Sequence, residues 1–521
     1  MKQLARIGRT VRHLQARQVV YQLVNRLRRP HRLRLLPGAP RVYHLAALPP
    51  DKPVSLLSDG TFCLLNQPAT RPHGWNDDRY GKLWTYTLNY FDCLNQPGLP
   101  VEIGLALMRN FMAHTTRHSV GMEPYPISLR AINWIRFLSL HRLTDAPVEA
   151  HLWAQLLVLS RRPEYHLAGN HLLENGFALL VGGLFFQHRR WFEQGRRLVV
   201  DELNQQMLAD GGHDERSPMY HQLLLDRLLD TLALLAPNRW AIDPALVATL
   251  RSTAGRMLGW LRQITFADGS IPLVNDAAPG LAPDTAALLA KATRLGIAST
   301  PTPLSDSGYR MLRRPRVELL ADVGPVGPDH QPGHAHADTL SFIVYVDKSP
   351  LFVDNATSTY TIGPRRTWER STAAHNTVAV DGQDSSEVWA GFRVGRRARV
   401  RLLVDTENCL VARHNGYRQL GITHERAWQL SDTAITIHDR LLTTGNAPAE
   451  GIARFYIHPD QPVRQQASGL QIGPVWLRFD APAPLQLRLV SVELADGFNR
   501  LRPATCLEVT FRGEVTTLLS L

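Results

Sequence analysis

Apolar residues in the middle of the chain recur at the spacing of amphipathic helices. From about residue 100 to residue 300, apolar-periodic stretches of helical length alternate with short polar or Pro/Gly breaks, which is typical of helices with one buried face. The predicted helices cover residues 101–114, 127–143, 151–161, 170–186, 189–208, 220–235 and 244–265. Such a run of consecutive helices predicts a helical array or toroid.

After residue 307 the pattern changes to short runs rich in Val, Ile, Leu, Thr and Phe, bounded by Gly, Asp, Asn and Pro. These runs predict strands at 317–323, 340–346, 377–380, 398–404, 434–439, 453–457, 485–494 and 506–518. Their spacing leaves no room for crossover helices, so we expect an antiparallel β-sandwich. The chain is predicted to be an α+β multidomain protein, with a basic N-terminal arm at 1–50, a helical domain at 51–305 and a β-rich domain at 306–521.

Composition indicates a soluble globular protein with more than one core. Of the 521 residues, 44% are hydrophobic and 20% are charged, near the averages for globular proteins in a chain longer than one core usually serves. Four scattered cysteines without a CxxC pair indicate neither a zinc knuckle nor a disulfide framework. Neither a transmembrane span nor a cleavable secretion signal is visible. We therefore expect a cytoplasmic or inner-membrane-associated protein, with the periplasm as the alternative.

The positive charge is concentrated at the N-terminus. The net charge is +12, and residues 1–50 hold Lys2 and ten arginines but no Asp or Glu, so the rest of the chain is nearly neutral. This confinement, and the lack of a recognition motif, argue against nucleic-acid binding. Between the arginines, apolar residues lie at roughly helical spacing: Leu4, Ile7, Val11, Leu14, Val19, Leu23 and Leu27. The arm predicts either an interfacial helix with peripheral membrane contact or a basic helix packed on the body.

The first polar cluster, from Gly169 to Asn175, opens a predicted helix. His171, Glu174 and Asn175 lie three and four residues apart, so their side chains share one helix face and can converge on one ligand. A structural alternative is that Asn170 caps the helix and Glu174 supports it. The concentration of polar residues before an apolar run favours a ligand site.

The second cluster is a polar loop from Asp210 to His221 that includes Arg216 and Tyr220. A tyrosine held beside cationic or hydrogen-bonding groups loses its proton more easily than a free phenol, whose pKa is about 10. Tyr220 would then serve first as a base and afterwards as an acid. Taken alone, this residue is more typical of a half-buried aromatic side chain at a helix start.

The third cluster combines histidines and aspartates from separate β segments. His334, His336 and Asp338 lie in one run, Asp354 ends an apolar strand, and His375 follows later. Two imidazoles and a carboxylate suit the tetrahedral coordination of Zn²⁺. Because the chain has 21 histidines, some such pairings are accidental, and the first run alone is weak evidence.

The three clusters, in this order and joined to a helical and a β half, resemble the heparinase II/III-like polysaccharide lyases and their alginate-lyase relatives. The resemblance extends from about residue 80 onward. Its motifs are Asn-His at 170–171, Glu-Arg-Ser-Pro-Met-Tyr at 215–220, Gly-His-Ala-His-Ala-Asp at 333–338 and Ser-Thr-Ala-Ala-His-Asn-Thr at 371–377. It implies an incomplete (α/α) toroid followed by an antiparallel β-sandwich, with the catalytic cleft between them. Relatives of this architecture often pair, so a homodimer is one alternative for an oligomeric state that the sequence leaves open.

The resemblance further implies roles for single residues. Tyr220 matches the tyrosine that acts as base and acid, and His334 matches a second catalytic histidine. The residue that neutralises the substrate carboxylate is either Asn170 or His171, since the motif does not decide between them. The ligands of a structural metal ion, expected to be Zn²⁺, fall on His336, Asp354 and His375.

Other polar and aromatic residues are expected to bind the sugar. A predicted helix after Met122 would turn several of them toward the cleft, and a loop before His375 would bring guanidinium groups and an indole. Alternatively, Glu123 and Arg130 form a structural pair. The expected sugar-binding residues are Glu174, Asn175, Tyr125, Arg130, Asn133, Trp134, Arg216, Arg366 and Trp389.

These residue types suit β-elimination at a uronic acid. The C5 proton becomes acidic enough to remove once the neighbouring carboxylate is neutralised, and a tyrosine or histidine can move the proton. We expect a lyase that acts on an acidic polysaccharide, linked to exopolysaccharide production or turnover. One rival is a glycoside hydrolase that uses two carboxylates about 5–10 Å apart, from Asp214, Glu215 and Glu174. The other is a non-catalytic polysaccharide-binding or assembly protein on the same fold.

Overall fold

The computed structural model describes residues 2–28, 33, 35, 40–70, 74–115, 119–238, 240–241, 243–445, 447–466 and 469–521. The expected arm at 1–50 therefore lies partly outside the described residues, at 1, 29–32, 34 and 36–39. Within the described ranges, no helix combines the length and the apolar character needed to cross a membrane.

The N-terminal arm forms two helices, α1 (Lys2–Val11) and α2 (Ala16–Leu27), instead of one continuous helix. At the start of α2 the backbone N–H of Gln15 donates to the side chain of Gln18 (2.9 Å). Gln18 is also buried and donates to backbone carbonyls of both halves of the molecule. The described part of the arm is thus a basic helical pair that packs on the body.

The helical half contains a β-hairpin and nine α-helices among the described residues. The hairpin is formed by β1 (Thr61–Leu64) and β2 (Gln67–Thr70), and the helices are α3 (Lys82–Tyr90), α4 (Val101–His114), α5 (Pro124–Leu140), α6 (Ala146–Arg161), α7 (Gly169–Phe185), α8 (Arg189–Gln206), α9 (Pro218–Leu235), α10 (Pro244–Ile264) and α11 (Thr285–Arg294). All seven predicted helices are present. Some begin earlier than predicted because a proline occupies the first turn, ahead of the first apolar position. Helices α3 and α11 were not predicted, because runs of nine and ten residues are too short to show a clear helical periodicity of apolar residues.

Helix α7 lies at the centre of this half and supports the first polar cluster. Every residue of α7 except His171 is buried, and the helix packs against α5, α8 and α9. Gly195 of α8 lies so close to α7 that a Cβ there would collide with the α7 backbone. Because α7 is packed on several sides, its first turn is a rigid support for the polar side chains at 170–175.

The β half contains eighteen strands and one short α-helix within the described part of the chain. They are β3 (Tyr309–Arg314), β4 (Val317–Asp322), β5 (Phe342–Val346), β6 (Ser349–Phe352), α12 (Pro364–Glu369), β7 (Val378–Val380), β8 (Val388–Trp389), β9 (Arg393–Val394), β10 (Val400–Asp405), β11 (Cys409–His414), β12 (Ile422–Leu430), β13 (Ala434–Thr443), β14 (Glu450–Ile457), β15 (Val463–Gln466), β16 (Gly469–Ile472), β17 (Val475–Asp480), β18 (Gln486–Ala495), β19 (Leu501–Arg512) and β20 (Glu514–Ser520). The last helix of the first half ends at Arg294, and the first strand of the second begins at Tyr309.

Two antiparallel sheets form the sandwich. One has the order β10-β11-β12-β13-β20-β17-β16-β15, and the other has the order β18-β19-β14-β6-β5-β4-β3, with β7 paired to β14. Apolar side chains of both sheets, such as Phe342, Phe455 and Trp428, share one core. Strands β8 and β9 form a separate small hairpin. The expected helical half followed by an antiparallel β-sandwich is confirmed.

Strand β12 was not predicted, although it lies inside a sheet. Its inward positions include His424, Arg426 and Trp428, so charged residues interrupt the apolar alternation that marks a strand. Arg426 forms a two-bond ion pair with Asp439 of β13 (2.7 and 3.0 Å), and His424 bonds to the same carboxylate (2.7 Å). The pairing across β12 and β13 satisfies the buried charges.

The loop between α8 and α9 joins the two halves. The guanidinium of Arg216 donates to the carbonyl oxygen of Ser307 (3.0 Å), and Tyr309 donates back to the carbonyl oxygen of Arg216 (2.6 Å). Asp210 accepts hydrogen bonds from the backbone N–H and the hydroxyl of Ser307 (2.9 and 2.6 Å). These buried contacts fix the start of α9 against the β half, so side chains from both halves can face one cleft.

Candidate active site

A cavity of about 1670 Å³ lies between the helical half, the β half and the N-terminal arm. It is lined by side chains from all three clusters found in the sequence. The predicted site residues that line it are Tyr220, His171, Asn170, His334, Glu174, Tyr125 and Trp389. The position of this cavity matches the cleft expected between a helical toroid and a β-sandwich.

Tyr220 lies in the first turn of α9, which Ser217 caps and Pro218 opens. Its hydroxyl lies 2.9 Å from the hydroxyl of Tyr360, and its ring centroid lies 4.0 Å from that of His334. Burial, and then the Tyr360 hydroxyl, raise the pKa of Tyr220 well above the ordinary value of 10. The expected lowering of its pKa does not occur in this arrangement, because the phenol contacts aromatic and hydroxyl groups rather than cations. A phenol with a raised pKa keeps its proton at neutral pH, so Tyr220 in its resting form is a proton donor and not a base.

His334 is held between two carboxylates. Its Nδ1 lies 2.9 Å from Asp276, and its Nε2 lies 3.3 Å from Glu215. Asp276 lies in an irregular loop after α10 and is fully buried. A hydrogen bond from Nδ1–H to Asp276 leaves Nε2 as the nitrogen that can take up a proton. Glu215 then lies in position to stabilise the imidazolium.

Asp276 is the centre of a polar network that was not predicted from the sequence. It accepts hydrogen bonds from His334, His336 and Thr357 and forms a two-bond ion pair with Arg366. Burial alone would raise the pKa of Asp276, but Arg366 and the two histidines lower it well below the ordinary value. The carboxylate is thus a permanent anion that orients both imidazoles. A single Asp in an irregular loop offers no periodicity by which the sequence could have revealed it.

Asn170 and His171 occupy the first turn of α7. The backbone N–H of Asn170 donates to Glu215 (3.2 Å), while its side-chain amide has no hydrogen bond to another described residue. The His171 ring stacks on Tyr125, with centroids 4.1 Å apart, and its Nδ1 lies 3.2 Å from Glu164. Burial lowers the pKa of His171, but Glu164 outweighs this and raises it above 6.5. The turn therefore presents a free amide and an imidazole that favours its charged form.

Glu174 lies on the floor of the cavity but is not free. Its two oxygens accept hydrogen bonds from the Nε–H of Arg227 (3.2 and 2.9 Å). Burial raises the pKa of Glu174 despite the adjacent guanidinium. Arg227 and Lys52, which were not predicted, also line the cavity and bring positive charge to its floor. Both are isolated cations in the sequence, so no motif marked them.

Six expected sugar-binding residues do not line the cavity, and each is instead buried with partners inside the protein. Arg130, Asn133, Trp134 and Asn175 belong to the packing between α5 and α7 and its surroundings. Arg216 joins the two halves, and Arg366 pairs with Asp276. The helical spacing that suggested one sugar-facing surface in fact directs the side chains of α5 into the core. There Arg130 and Asn133 donate to backbone oxygens, and Trp134 packs on aromatic rings. The residues that were expected to bind sugar but are buried in the protein are Asn175, Arg130, Asn133, Trp134, Arg216 and Arg366.

Trp389 lines the cavity, but other groups occupy its ring. The indole N–H donates to the hydroxyl of Thr10 on α1 (3.2 Å). The guanidinium groups of Arg6 and Arg393 lie 5.8 and 5.0 Å from the ring centroid. A sugar that stacks on Trp389 would have to displace one of these arginines. The contact instead ties the arm to the β half.

The three predicted metal ligands are only partly brought together. The rings of His336 and His375 lie 5.2 Å apart, and His336 Nδ1 and His375 Nε2 are buried without a hydrogen-bond partner among the described residues. Asp354 instead accepts a hydrogen bond from His375 Nδ1 (2.9 Å). Burial lowers the pKa of His336 to about 3, so its imidazole is neutral, as a metal ligand must be. The donor types and the two unpartnered nitrogens fit a Zn²⁺ site, with Asp354 placed to orient His375.

Asp51, Asp226 and Asp230 form the one close group of three metal-binding side chains within the described residues. The ammonium of Lys291 lies among them, 2.6 Å from Asp226 and 3.4 Å from Asp51, with Asp230 also in contact. Lys52 adds a second cation beside Asp226 (3.2 Å). These lysines already balance the carboxylates, so the group is an ion-pair network.

Three main residues of the site were not predicted from the sequence to take part in the reaction: Tyr360, Glu215 and Asp276. Glu215 was noted as part of the motif at 215–220 and as a carboxylate for the rival hydrolase, without a role in the elimination. Tyr360 follows Ser358-Thr359 in a loop without any motif, and only its 2.9 Å contact with Tyr220 reveals it. The contact between Tyr360 and Tyr220 could not be inferred from the sequence, because 140 positions separate the two tyrosines.

Comparisons with known families cover both halves of the chain. A model described as "Heparinase II/III N-terminus" matches residues 76–294, and one described as "Heparinase II/III-like, C-terminal" matches residues 298–519. The chain belongs to the heparinase II/III-like family. The two matched regions coincide with the two halves that enclose the cavity.

Individual relatives are distant. The chain is 22% identical over 275 residues to a heparin-sulfate lyase of Bacteroides stercoris, covering 47% of this chain and 40% of that protein. It is 26% identical over 328 residues to FtsZ-localized protein C of Caulobacter vibrioides (strain NA1000 / CB15N), covering 55% of this chain and 53% of that protein. The chain thus spans about half the length of the curated relatives it matches.

Solved structures support the fold. The crystal structure of heparinase III superposes with a TM-score of 0.67 at 15% identity, covering 90% of this chain and 80% of that chain. Heparan sulfate lyase HepC of Pedobacter heparinus gives a TM-score of 0.56 at 16% identity, covering 84% and 75%. At these identities the likeness concerns the fold.

Proposed function

We propose that this protein is a polysaccharide lyase that cleaves a uronic-acid-containing polysaccharide by β-elimination. The observation that carries the proposal is the meeting of Tyr220 and His334 across the two halves, with Asn170 and His171 in the same cavity. These groups can together neutralise a carboxylate, remove a proton and donate another. The family supports the class of reaction, while the activity and the polymer of this chain are proposals.

The first turn of α7 would bind the uronate carboxylate. The free amide of Asn170 and the imidazolium of His171 would donate to its oxygens and stabilise the negative charge that develops as the C5 proton leaves. Both groups are expected to contribute, because both line the cavity. His171 would add positive charge in its imidazolium form, which Glu164 favours by raising the pKa.

His334 and Tyr220 would then complete the elimination. Nε2 of His334 takes the C5 proton, the C4–O bond breaks, and the C–H electron pair becomes the C4=C5 double bond. The phenol of Tyr220, whose pKa is raised, donates its proton to the leaving O4. The proton on His334 would then return to the Tyr220 phenolate, whose ring centroid lies 4.0 Å from that of the imidazole, so that both groups regain their starting states. The Tyr360 hydroxyl, 2.9 Å from the Tyr220 hydroxyl, would stabilise the phenolate until then. No water is consumed.

We propose that Zn²⁺ is bound beside the catalytic network rather than within it. His336 and His375 would supply the two unpartnered nitrogens, and Asp354 would complete or orient the site. The ion would tie together separate β segments and so hold the rigid loop that carries His334. Elemental analysis of the purified chain, beside the double variant His336→Ala/His375→Ala, tests this assignment.

Lyase activity is tested by following the near-ultraviolet absorbance of unsaturated uronate during incubation with a panel of uronate polymers. We expect a rise with at least one polymer. The variant Tyr220→Phe should lower the rate by about 10²–10⁴-fold, because the acid is lost while the ring packing remains. Tyr345→Phe, which removes a phenol hydroxyl that bonds to Ser270 (2.9 Å) away from the cavity, serves as the matched control. A flat trace with every polymer would contradict the proposal.

A second candidate is a non-catalytic polysaccharide-binding or assembly protein. It is favoured by one relative whose name refers to localisation with FtsZ and not to an enzyme. Measurable polymer binding by a chain that produces no unsaturated uronate would support it. A glycoside hydrolase is less well supported, because Asp214 does not line the cavity and Glu174 is paired with Arg227.

We also propose a place in exopolysaccharide production or turnover, which would suit a lyase with uronate specificity. A cytoplasmic or inner-membrane location and a homodimer stay predictions. Fractionation of cells and light scattering of the purified chain would test them.

A further inference from the structure

Exposed apolar side chains are concentrated on the N-terminal arm. Of eighteen large apolar side chains that are exposed among the described residues, seven belong to α1 and α2. Leu23 and Leu27 of α2 are 55% and 86% exposed, and Leu4 of α1 is 73% exposed. Single exposed apolar residues are ordinary, but such a concentration marks an interaction surface.

On α2 these residues form one continuous stripe. The stripe consists of Val19, Val20, Leu23 and Leu27. Except for the adjacent pair at 19–20, these residues are spaced by three, four, seven or eight positions, so they share one helix face. We call this face the outer stripe. None of its members lines the cavity, whereas Gln18, Gln22 and Asn25 of the same helix do.

The body of the protein fixes the direction of the outer stripe. Arg17 forms an ion pair with Glu202 (2.8 Å), and Tyr21 packs on Tyr165 with ring centroids 4.6 Å apart. Gln18 donates to the carbonyl oxygens of Leu167 and His330 (3.2 and 3.3 Å). These contacts occupy the other faces of α2, so the stripe points outward from a helix that is already folded.

Charge indicates what covers the stripe. The first 50 residues have eleven basic and no acidic side chains, and in the described part of the arm only Arg6, Arg9 and Arg17 form ion pairs. Arg12, which follows α1, and Arg26, which precedes Leu27 on α2, are both exposed. A second copy of this chain would place two basic arms against each other, which like-charge repulsion disfavours. An anionic surface is the complementary partner.

We propose that the arm docks the protein on an anionic lipid bilayer, with the outer stripe inserted at the interface and the surrounding arginines on the lipid headgroups. Amphipathic helices with apolar residues on one face and arginines beside it bind such surfaces. Because α1 and α2 also line the cavity, docking brings the cleft next to the membrane. A polysaccharide that is made or held at that surface would then reach the site directly.

Flotation with lipid vesicles tests the proposal on the full chain. We expect binding to phosphatidylcholine vesicles that contain phosphatidylglycerol, weaker binding to phosphatidylcholine alone, and weakening by added salt. The variant Leu23→Glu/Leu27→Glu should lower the partition coefficient by at least about tenfold, because two leucines leave the interface. Its melting temperature should stay unchanged, since both side chains are exposed.

The matched control is Leu487→Glu/Leu489→Glu on β18, where two exposed leucines also share one face. This variant should bind vesicles as the unchanged chain does. Failure of the unchanged chain to bind anionic vesicles would overturn the proposal, as would equal loss in both double variants. Light scattering that shows a dimer broken by Leu23→Glu/Leu27→Glu would assign the stripe to a second copy instead. None of these outcomes depends on lyase activity.

Discussion

Two buried clusters in this protein are built from the same residue types and differ in their surroundings. Asp276 binds two histidines and Arg366 at the cleft, and Asp439 binds His424 and Arg426 inside the sandwich. In both, a guanidinium and imidazoles hold a carboxylate with a lowered pKa, to about 2 for Asp439. The composition of the two clusters therefore does not distinguish a group at the cleft from a group in the core of the sandwich.

Access to the cavity makes the difference. His334, bound to Asp276, lines the cleft and lies beside Tyr220, while His424 is fully buried and its second nitrogen bonds to His414 (3.1 Å). Burial lowers the pKa of His424 although Asp439 acts in the opposite direction. The sandwich cluster thus has no nitrogen left for a substrate proton. It resembles a site in composition but serves to hold β12 and β13 together.

The largest expected difference is between the two histidines. His334→Ala should lower kcat/KM by about 10²–10⁴-fold with a small change in stability, because Arg366 still pairs with Asp276. His424→Ala should leave kcat/KM of the folded protein unchanged but lower the free energy of unfolding by about 2–4 kcal/mol. Lyase assays and urea denaturation of both variants check this. Equal loss of activity in both would remove the distinction between the clusters.

Substitution of Arg366 or Arg426 should also distinguish the two clusters, with a somewhat smaller difference in activity than substitution of the histidines. Arg426→Met leaves Asp439 unpaired in the core and should lower the free energy of unfolding by about 3–5 kcal/mol, with activity retained at low temperature. Arg366→Met should destabilise similarly and also reduce activity, because Asp276 no longer holds His334 in place. Denaturant titrations and kinetics at one temperature provide the comparison. An active Arg366→Met enzyme would show that His334 needs no such support.

The smallest expected effect concerns pH. The raised pKa of His171 keeps its imidazolium fully present below about 6.5 and loses it as the pH rises through the folded value. KM for the uronate polymer should therefore rise on the alkaline side, by about tenfold for about 1.4 kcal/mol of lost interaction. In His171→Ala, KM should be high at every pH. A KM that rises equally in this variant would assign the titration to another group.

Local patterns predicted the two halves but not every element. Helices of the middle region were visible because each buries one face, and the predicted strands because they are short runs rich in Val, Ile, Leu, Thr and Phe. Strand β12 was missed because His424 and Arg426 fill inward positions, and α3 because it is only nine residues long. The predicted site residues that do line the cavity come from the ends of elements. Those that proved to be core, such as Arg130 and Trp134, come from the middle of α5.

The sequence by itself determined the order of the helical and β halves, the basic arm and the motifs that contain Asn170, Tyr220 and His334. These depend on the spacing of residues that are close in the chain. Only the tertiary structure decided that Tyr360 meets Tyr220, that Asp276 holds His334, and that Arg366 is buried. Such contacts join residues 58 to 140 positions apart, and their geometry depends on how separately folded elements pack, which local spacing does not encode.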